Sequence, residues 1–279
     1  MTVTIIGIGL IGGSMAIAMR ESGLAGSILG VEANELHAQK AMERGLVDRI
    51  VSLEEAIAAS EFIIIAVPVN AASQLIPVIL NGASKAVVMD VGSTKAGVLA
   101  VIKDHPNRGR FVATHPMWGT EYSGTEAAMR GAFFDKAAVI CNREETDLDA
   151  LEEVEGLYKQ LGMHLVYMEG EAHDLHVAYI SHISHITSFA LANTVLEKER
   201  EDEAIFELAS GGFESTVRLA KSNPAMWVPI FKENRENVLD VLNEHISQLR
   251  KFKACLEKEN YSYLQELIED ANKIKRILK

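Results

Sequence analysis

Six residues, Gly7-Ile8-Gly9-Leu10-Ile11-Gly12, limit the choice of fold more than any other stretch. A short apolar run, Val3–Gly7, leads into them, and a helical stretch, Leu10–Glu21, leads away. Strand, glycine turn and helix in that order open a dinucleotide-binding βαβ unit. The first glycine makes the tight turn, the second lets the backbone approach a pyrophosphate, and the third lets helix and strand pack closely. The helix N-terminus offers free N–H donors to the phosphates. Gly7, Gly9, Leu10, Ile11 and Gly12 are therefore candidate cofactor residues. Glu32 follows Gly12 by twenty residues and ends the second apolar run. A carboxylate there accepts hydrogen bonds from ribose hydroxyls and repels a 2′-phosphate. No arginine stands at positions 33–36, so NAD is favoured over NADP. The plainer alternative for Glu32 is a solvated charge at a strand end.

The expected fold class is α/β, a Rossmann-type doubly wound, mostly parallel sheet followed by an all-helical region. Further apolar runs cover Ile28–Glu32, Phe62–Val67, Ala86–Val91, Phe111–His115, Ala137–Asn142 and His164–Met168. They are continuous rather than alternating, which calls for a sheet covered on both faces. Amphipathic stretches fall between them at Glu35–Arg44, Ala72–Leu80 and Leu148–Leu161. After Met168 no convincing strand follows. Helical periodicity runs through His173–Glu197, Glu203–Ser222, Pro224–Glu257 and Tyr261–Leu278. The expected division is a nucleotide-binding domain over 1–168 and a helical domain over 169–279. Asn223-Pro224 reads as a helix start. Pro229 implies a kink or a later start.

Ligands of a doubly wound sheet sit outside the carboxyl ends of its strands. Three such ends carry distinctive residues: Ala66-Val67-Pro68, Asp90-Val91-Gly92-Ser93-Thr94-Lys95 and Thr114-His115-Pro116. Pro68 ends its strand and shapes a wall near the cofactor. Ser93 sits on a turn that starts a helix, where Ser93 or Thr94 is expected to cap the helix, a role compatible with touching a substrate. Lys95 reads as a first-turn surface lysine. Pro116 is expected to end its strand at His115. An imidazole there is a candidate acid or base, and the alternative is a turn histidine.

In the helical region His182 and His185 share a helix face, with His173 and His176 earlier. No carboxylate pair or cysteine completes a metal set, so interhelical hydrogen bonds are expected and no metal. Arg218 stands on a mostly apolar stretch and needs an anionic partner, internal or bound. Trp227 reads as core.

The chain of 279 residues carries 27 basic and 39 acidic side chains, a formal charge of −12, which argues against a nucleic-acid or acidic-membrane partner. Cys141 and Cys255 have no ligand spacing. With no signal peptide at the start and no apolar run near the ~20 residues of a bilayer span, the cytoplasm is expected.

The chain resembles the prephenate dehydrogenases, a family that includes the arogenate and cyclohexadienyl dehydrogenases of tyrosine biosynthesis. The resemblance covers essentially the whole length. It rests on Gly-Ile-Gly-Leu-Ile-Gly-Gly-Ser at 7–14, Asp-Val-Gly-Ser-Thr-Lys at 90–95 and His-Pro-Met-Trp-Gly-Thr-Glu at 115–121. Ser-His-Ile-Ser-His at 181–185, Gly-Gly-Phe at 211–213, Arg218 and Pro-Ala-Met-Trp at 224–227 extend it. The resemblance implies oxidative decarboxylation of prephenate, the alternative being arogenate or both, with His115 as base on the ring hydroxyl and Ser93 beside that hydroxyl and the nicotinamide. It implies that His185 and Arg218 hold the substrate, Arg218 on a carboxylate. Thr120 and Glu121 would line the pocket mouth, and Trp227 would support the wall. It further implies a homodimer through the helical region, with the Gly211 loop approaching the neighbouring site. Ser215 and Thr216 stand where relatives often carry an aspartate, and Pro229 is also a departure. No regulatory domain is expected after residue 279 and no mutase domain before residue 1. The rivals are a β-hydroxyacid dehydrogenase or ketopantoate-type reductase, for which Lys221 is the lysine nearest the right neighbourhood and reads as surface, and a non-catalytic NAD sensor.

Overall fold

The computed structural model describes residues 1–83, 85–200 and 205–277. Eight strands make one sheet in the order β3-β2-β1-β4-β5-β6-β7-β8. They are β1 (Thr2–Ile6), β2 (Ser27–Val31), β3 (Arg49–Ile50), β4 (Phe62–Ile65), β5 (Val87–Asp90), β6 (Phe111–Pro116), β7 (Ala137–Cys141) and β8 (His164–Met168). Neighbours are parallel except β6 and β7. Six helices connect them: α1 (Leu10–Glu21), α2 (Glu35–Glu43), α3 (Leu53–Ala59), α4 (Val69–Gly82), α5 (Ala96–Ile102) and α6 (Leu148–Gln160).

The continuous apolar strands serve two cores at once. Phe62 and Ile64 of β4 face one side with Val87, Met89 and Val112. Ile63 and Ile65 face the other with Val88, Phe111 and Ala113. The period-two alternation of a strand thus needs apolar residues at every position when both faces are covered. The seven expected strands are present; β3, only two residues long, and α3 went unforeseen. The strand order reverses between β1 and β4, which opens a crevice at their carboxyl ends.

The region after β8 is helical: α7 (Gly170–Val177), a π-helical turn (Ala178–His182), α8 (Ile183–Glu199), α9 (Gly211–Val217), α10 (Pro224–Glu233), α11 (Arg235–Glu257) and α12 (Tyr261–Ala271). Three expected runs are therefore interrupted. The π turn splits the run from His173. The run from Glu203 begins outside the described residues; from Ile205 on it gives a short 3-10 turn, then α9, the two being parted by extended backbone at Ala209 and Ser210. The run from Pro224 breaks at Asn234, whose buried side chain donates to the Asp174 carbonyl at 2.6 Å. The last run gives α12 and a 3-10 turn, with Leu278 outside the described residues. α10 starts at Pro224 under an Asn223 cap, as expected, and runs on through Pro229, so no later start is needed. No helix among the described residues is long and apolar enough to cross a membrane.

Candidate active site

The crevice widens into a cavity of about 510 Å³ between the sheet and the helical region. Its walls come from Gly9, Leu10 and Ile11, from residues 66–69 and 91–93, and from His115, Met117, Trp118, Gly119 and Thr120. The helical side adds Ile180, Ser181, His185, Leu219, Met226, Trp227 and Ile230.

At the cofactor end, Gly7 has a φ of +88°, and a Cβ there would strike the Ala66 carbonyl. A Cβ on Gly12 would collide with the Gly7 carbonyl, whereas Gly9 faces open space. No side chain caps α1, so its first-turn N–H groups are available to an anion. Glu32 is tied to this loop. Its carboxylate accepts the Ile8 N–H at 2.9 Å and the Asn34 N–H at 3.0 Å. An open glycine, uncapped helix donors and a carboxylate at the end of β2 fit the pyrophosphate and ribose of a dinucleotide. Pro68 lines the same space and N-caps α4.

His115 lies beyond the point where the parallel ladder with β5 stops, at Asp90 opposite Ala113. The antiparallel ladder with β7 continues through Pro116, so the strand ends one residue later than expected. Proline lacks only the N–H, and the next N–H, that of Met117, bonds to the Ala137 carbonyl at 2.8 Å. His115 Nδ1 is 2.9 Å from His173 Nε2. His173 Nδ1 is in turn 2.8 Å from Asp174 Oδ1. Asp174 accepts only, so His173 donates from Nδ1 and accepts at Nε2. His115 must then donate from Nδ1, which leaves Nε2 carrying a lone pair. Burial first, then His173, Lys95 and His182, hold the His115 pKa well below the usual imidazole value. Burial also lowers His173, against the opposing pull of Asp174.

Asp174 overturns the expectation that Ser93 or Thr94 caps α5. Its two oxygens accept the N–H groups of Lys95 and Ala96 at 2.7 and 2.9 Å. Ser93 is thus freed from capping, lines the cavity, and its hydroxyl has no hydrogen bond to another described residue. Lys95 is not a surface residue either: it is 0% exposed and paired with Asp90.

His185 donates from Nδ1 to the Ser181 carbonyl at 3.0 Å and stacks on Trp227, centroids 3.4 Å apart. Trp227 is both core and wall, 6% exposed and packed with Val69 and Ile230. His182 accepts from Asn234 at 3.2 Å, and burial lowers its pKa to about 4. The His182 contact is an interhelical bond of the expected kind, whereas the His185 bond lies within its own helical run. Trp118 packs edge-on to Phe133, ring centroids 5.5 Å apart, and lines the cavity. Arg218 stands outside the cavity lining, on a 3-10 turn with no buried residues, not on an apolar helix face. Its partner is internal: it donates to Glu121 at 2.7 Å. Ser215 and Thr216 hydroxyls donate to the Gly212 carbonyl, not to Arg218's partner. Gly211 is exposed at the start of α9, and Lys221 is exposed as expected.

Dinucleotide cradle, strand-end histidine and a helical wall define a nicotinamide-dependent dehydrogenase of two-part architecture. The nucleotide-binding-domain model of prephenate dehydrogenase matches residues 15–167, and the dimerization-domain model of prephenate dehydrogenase matches residues 169–270. The chain belongs to the prephenate dehydrogenase family of NAD-dependent oxidoreductases. It is 31% identical to a prephenate dehydrogenase of Bacillus subtilis, over 93% of this chain and 71% of that one. It is 26% identical to a cyclohexadienyl dehydrogenase of Zymomonas mobilis, over 99% of this chain and 96% of that one. The crystal structure of the Aquifex aeolicus prephenate dehydrogenase, in complex with hydroxyphenyl propionate and NAD+, superposes with a TM-score of 0.87 at 30% identity. That superposition covers 99% of this chain and 97% of the other.

Proposed function

We propose that this chain converts prephenate to 4-hydroxyphenylpyruvate and carbon dioxide with NAD. The observation that carries the reading is the His115 imidazole: neutral, with Nδ1 committed to His173 and Nε2 free, on a cavity that begins at the glycine loop. NAD, when bound, supplies the hydride acceptor. Gly7, Gly9, Leu10, Ile11, Gly12, Glu32 and Pro68 hold it.

His115 takes the proton of the ring hydroxyl at Nε2, with Ser93 beside that hydroxyl. The hydride would leave the carbon that bears the oxygen for the nicotinamide, the ring carboxylate departs as carbon dioxide, its bonding pair completes the aromatic ring, and protonated His115 returns its proton to the ring oxygen to give the phenol. Aromatisation supplies the driving force, so the protein need only align the groups and remove one proton. His185 and Trp227 form the wall against the substrate. Arg218 uses guanidinium donors beyond the one given to Glu121 to take a substrate carboxylate. Thr120 and Glu121 shape the mouth. Gly211 serves at the neighbouring subunit's site.

A homodimer through the region from 169 onward is part of this reading. The match to a dimerization domain supports it, as do the exposed apolar residues Leu249, Leu256, Tyr261 and Ile268 on α11 and α12. Two buried free cysteines agree with action in the cytoplasm.

Initial rates with prephenate and arogenate, each with NAD and NADP, test the reading. The largest kcat/KM is expected for prephenate with NAD. No turnover of either substrate overturns it.

A further inference from the structure

Close to His115 lies an ion pair that the proposed chemistry does not use. The Lys95 ammonium bonds the Asp90 carboxylate and donates to the Thr114 carbonyl at 2.7 Å. Both side chains are enclosed. Asp90 also accepts the Gly92 N–H at 2.9 Å and the Thr114 N–H at 3.3 Å. The Thr114 hydroxyl donates to the Asp90 carbonyl at 2.6 Å. Gly92 precedes Ser93, and Thr114 precedes His115. The backbone N–H of Lys95 reaches Asp174, which holds His173.

A buried ion pair is a weak source of stability, because desolvation offsets most of the attraction. Its cost asks for a use, and the contacts above indicate one. We propose that Lys95 is a positioning residue for His115: clamped between Asp90 and the Thr114 carbonyl, it fixes the strand end bearing His115 and the turn bearing Ser93, and sets its ammonium close to the imidazole pair. This rests on the reading of His115 as the base.

The charged and titratable groups nearby are His173 and Asp174 on α7, His182 on the π turn, Lys95 with Asp90 from the β5–α5 segment and, behind Thr114, Tyr158 on α6 and Cys141 on β7. Strand β7 presents Val139. Lys95 opposes protonation of both His115 and His173, after burial in each case.

The test is a proton NMR titration of the His115 ring, assigned by its loss in His115→Asn, alongside pH profiles of kcat/KM. The proteins are wild type, Lys95→Met and the double variant Asp90→Asn/Lys95→Met. The double variant leaves no unpaired buried carboxylate, which guards against loss of folding. Removing the cation should raise the His115 midpoint by about one pH unit or more. The acid limb of kcat/KM should rise with it. Plateau kcat should fall at least about tenfold, since misplaced reacting groups are costly, with little change in KM. A His115 midpoint unmoved in folded Lys95→Met overturns the electrostatic half, and a plateau kcat undiminished in the double variant overturns the alignment half. A raised midpoint with an unmoved kinetic limb upholds the charge close to His115 and overturns its assignment as base, so the two failures are distinguishable.

Discussion

His173 Nε2 stands 2.9 Å from His115 Nδ1 although 58 residues separate them. The contact decides which nitrogen of His115 faces the substrate. His115→Asn should lower kcat by roughly a hundredfold or more through loss of the base. His173→Phe removes the acceptor for Nδ1 and the donor to Asp174 but leaves the base itself, so kcat should fall less, by about tenfold, with KM nearly constant. Steady-state kinetics of both variants check this, and undiminished turnover in His115→Asn removes it from the mechanism.

Arg218 is 49% exposed at its side chain and paired with Glu121. Solvent weakens what such a guanidinium contributes, so Arg218→Ala should cost substrate binding about 1–2 kcal/mol, roughly a five- to thirtyfold rise in KM. The KM for NAD should stay within about twofold. A normal substrate KM excludes Arg218 from the site.

Much of this was legible in the sequence. The run Phe62–Ile65 announces a strand buried on both faces because every position is apolar, and the glycine loop places the cofactor end through local turn chemistry. Ser93, His115, His185 and Trp227 are drawn to one cavity from two strand ends and two helices, α8 and α10. What stayed hidden depends on distant partners. Lys95 looks like a first-turn surface lysine until Asp90 and Thr114 close over it. Asp174 caps a helix that starts 78 residues away in sequence, and no local pattern signals that. Arg218 gives no sign of Glu121, 97 residues distant. The break at Asn234 follows from a tertiary bond to Asp174, while the periodicity around it runs on uninterrupted.

Glu32 both faces the proposed ribose and holds the glycine loop through the Ile8 N–H. Glu32→Ala should therefore weaken NAD more than it helps NADP. A rise in KM for NAD of about tenfold or more is expected, from loss of a charge-assisted bond and loosening of the loop. The NAD-to-NADP ratio of kcat/KM should fall, and an unchanged ratio removes Glu32 from discrimination.

His182 is buried, accepts from Asn234, and has its pKa lowered to about 4. In the unfolded chain it titrates near ~6.5, so between those values the unfolded state binds the extra proton. Its contribution is full above pH ~6.5 and is lost as pH falls towards 4, a difference of order 3 kcal/mol. His115, His173 and His185 are lowered as well and act in the same sense. Urea unfolding at a series of pH values should show stability falling steadily below pH 6.5. In His182→Asn the slope between pH 6.5 and 4 should be flatter by about one proton, and an identical slope shows that His182 takes no part in the acid response.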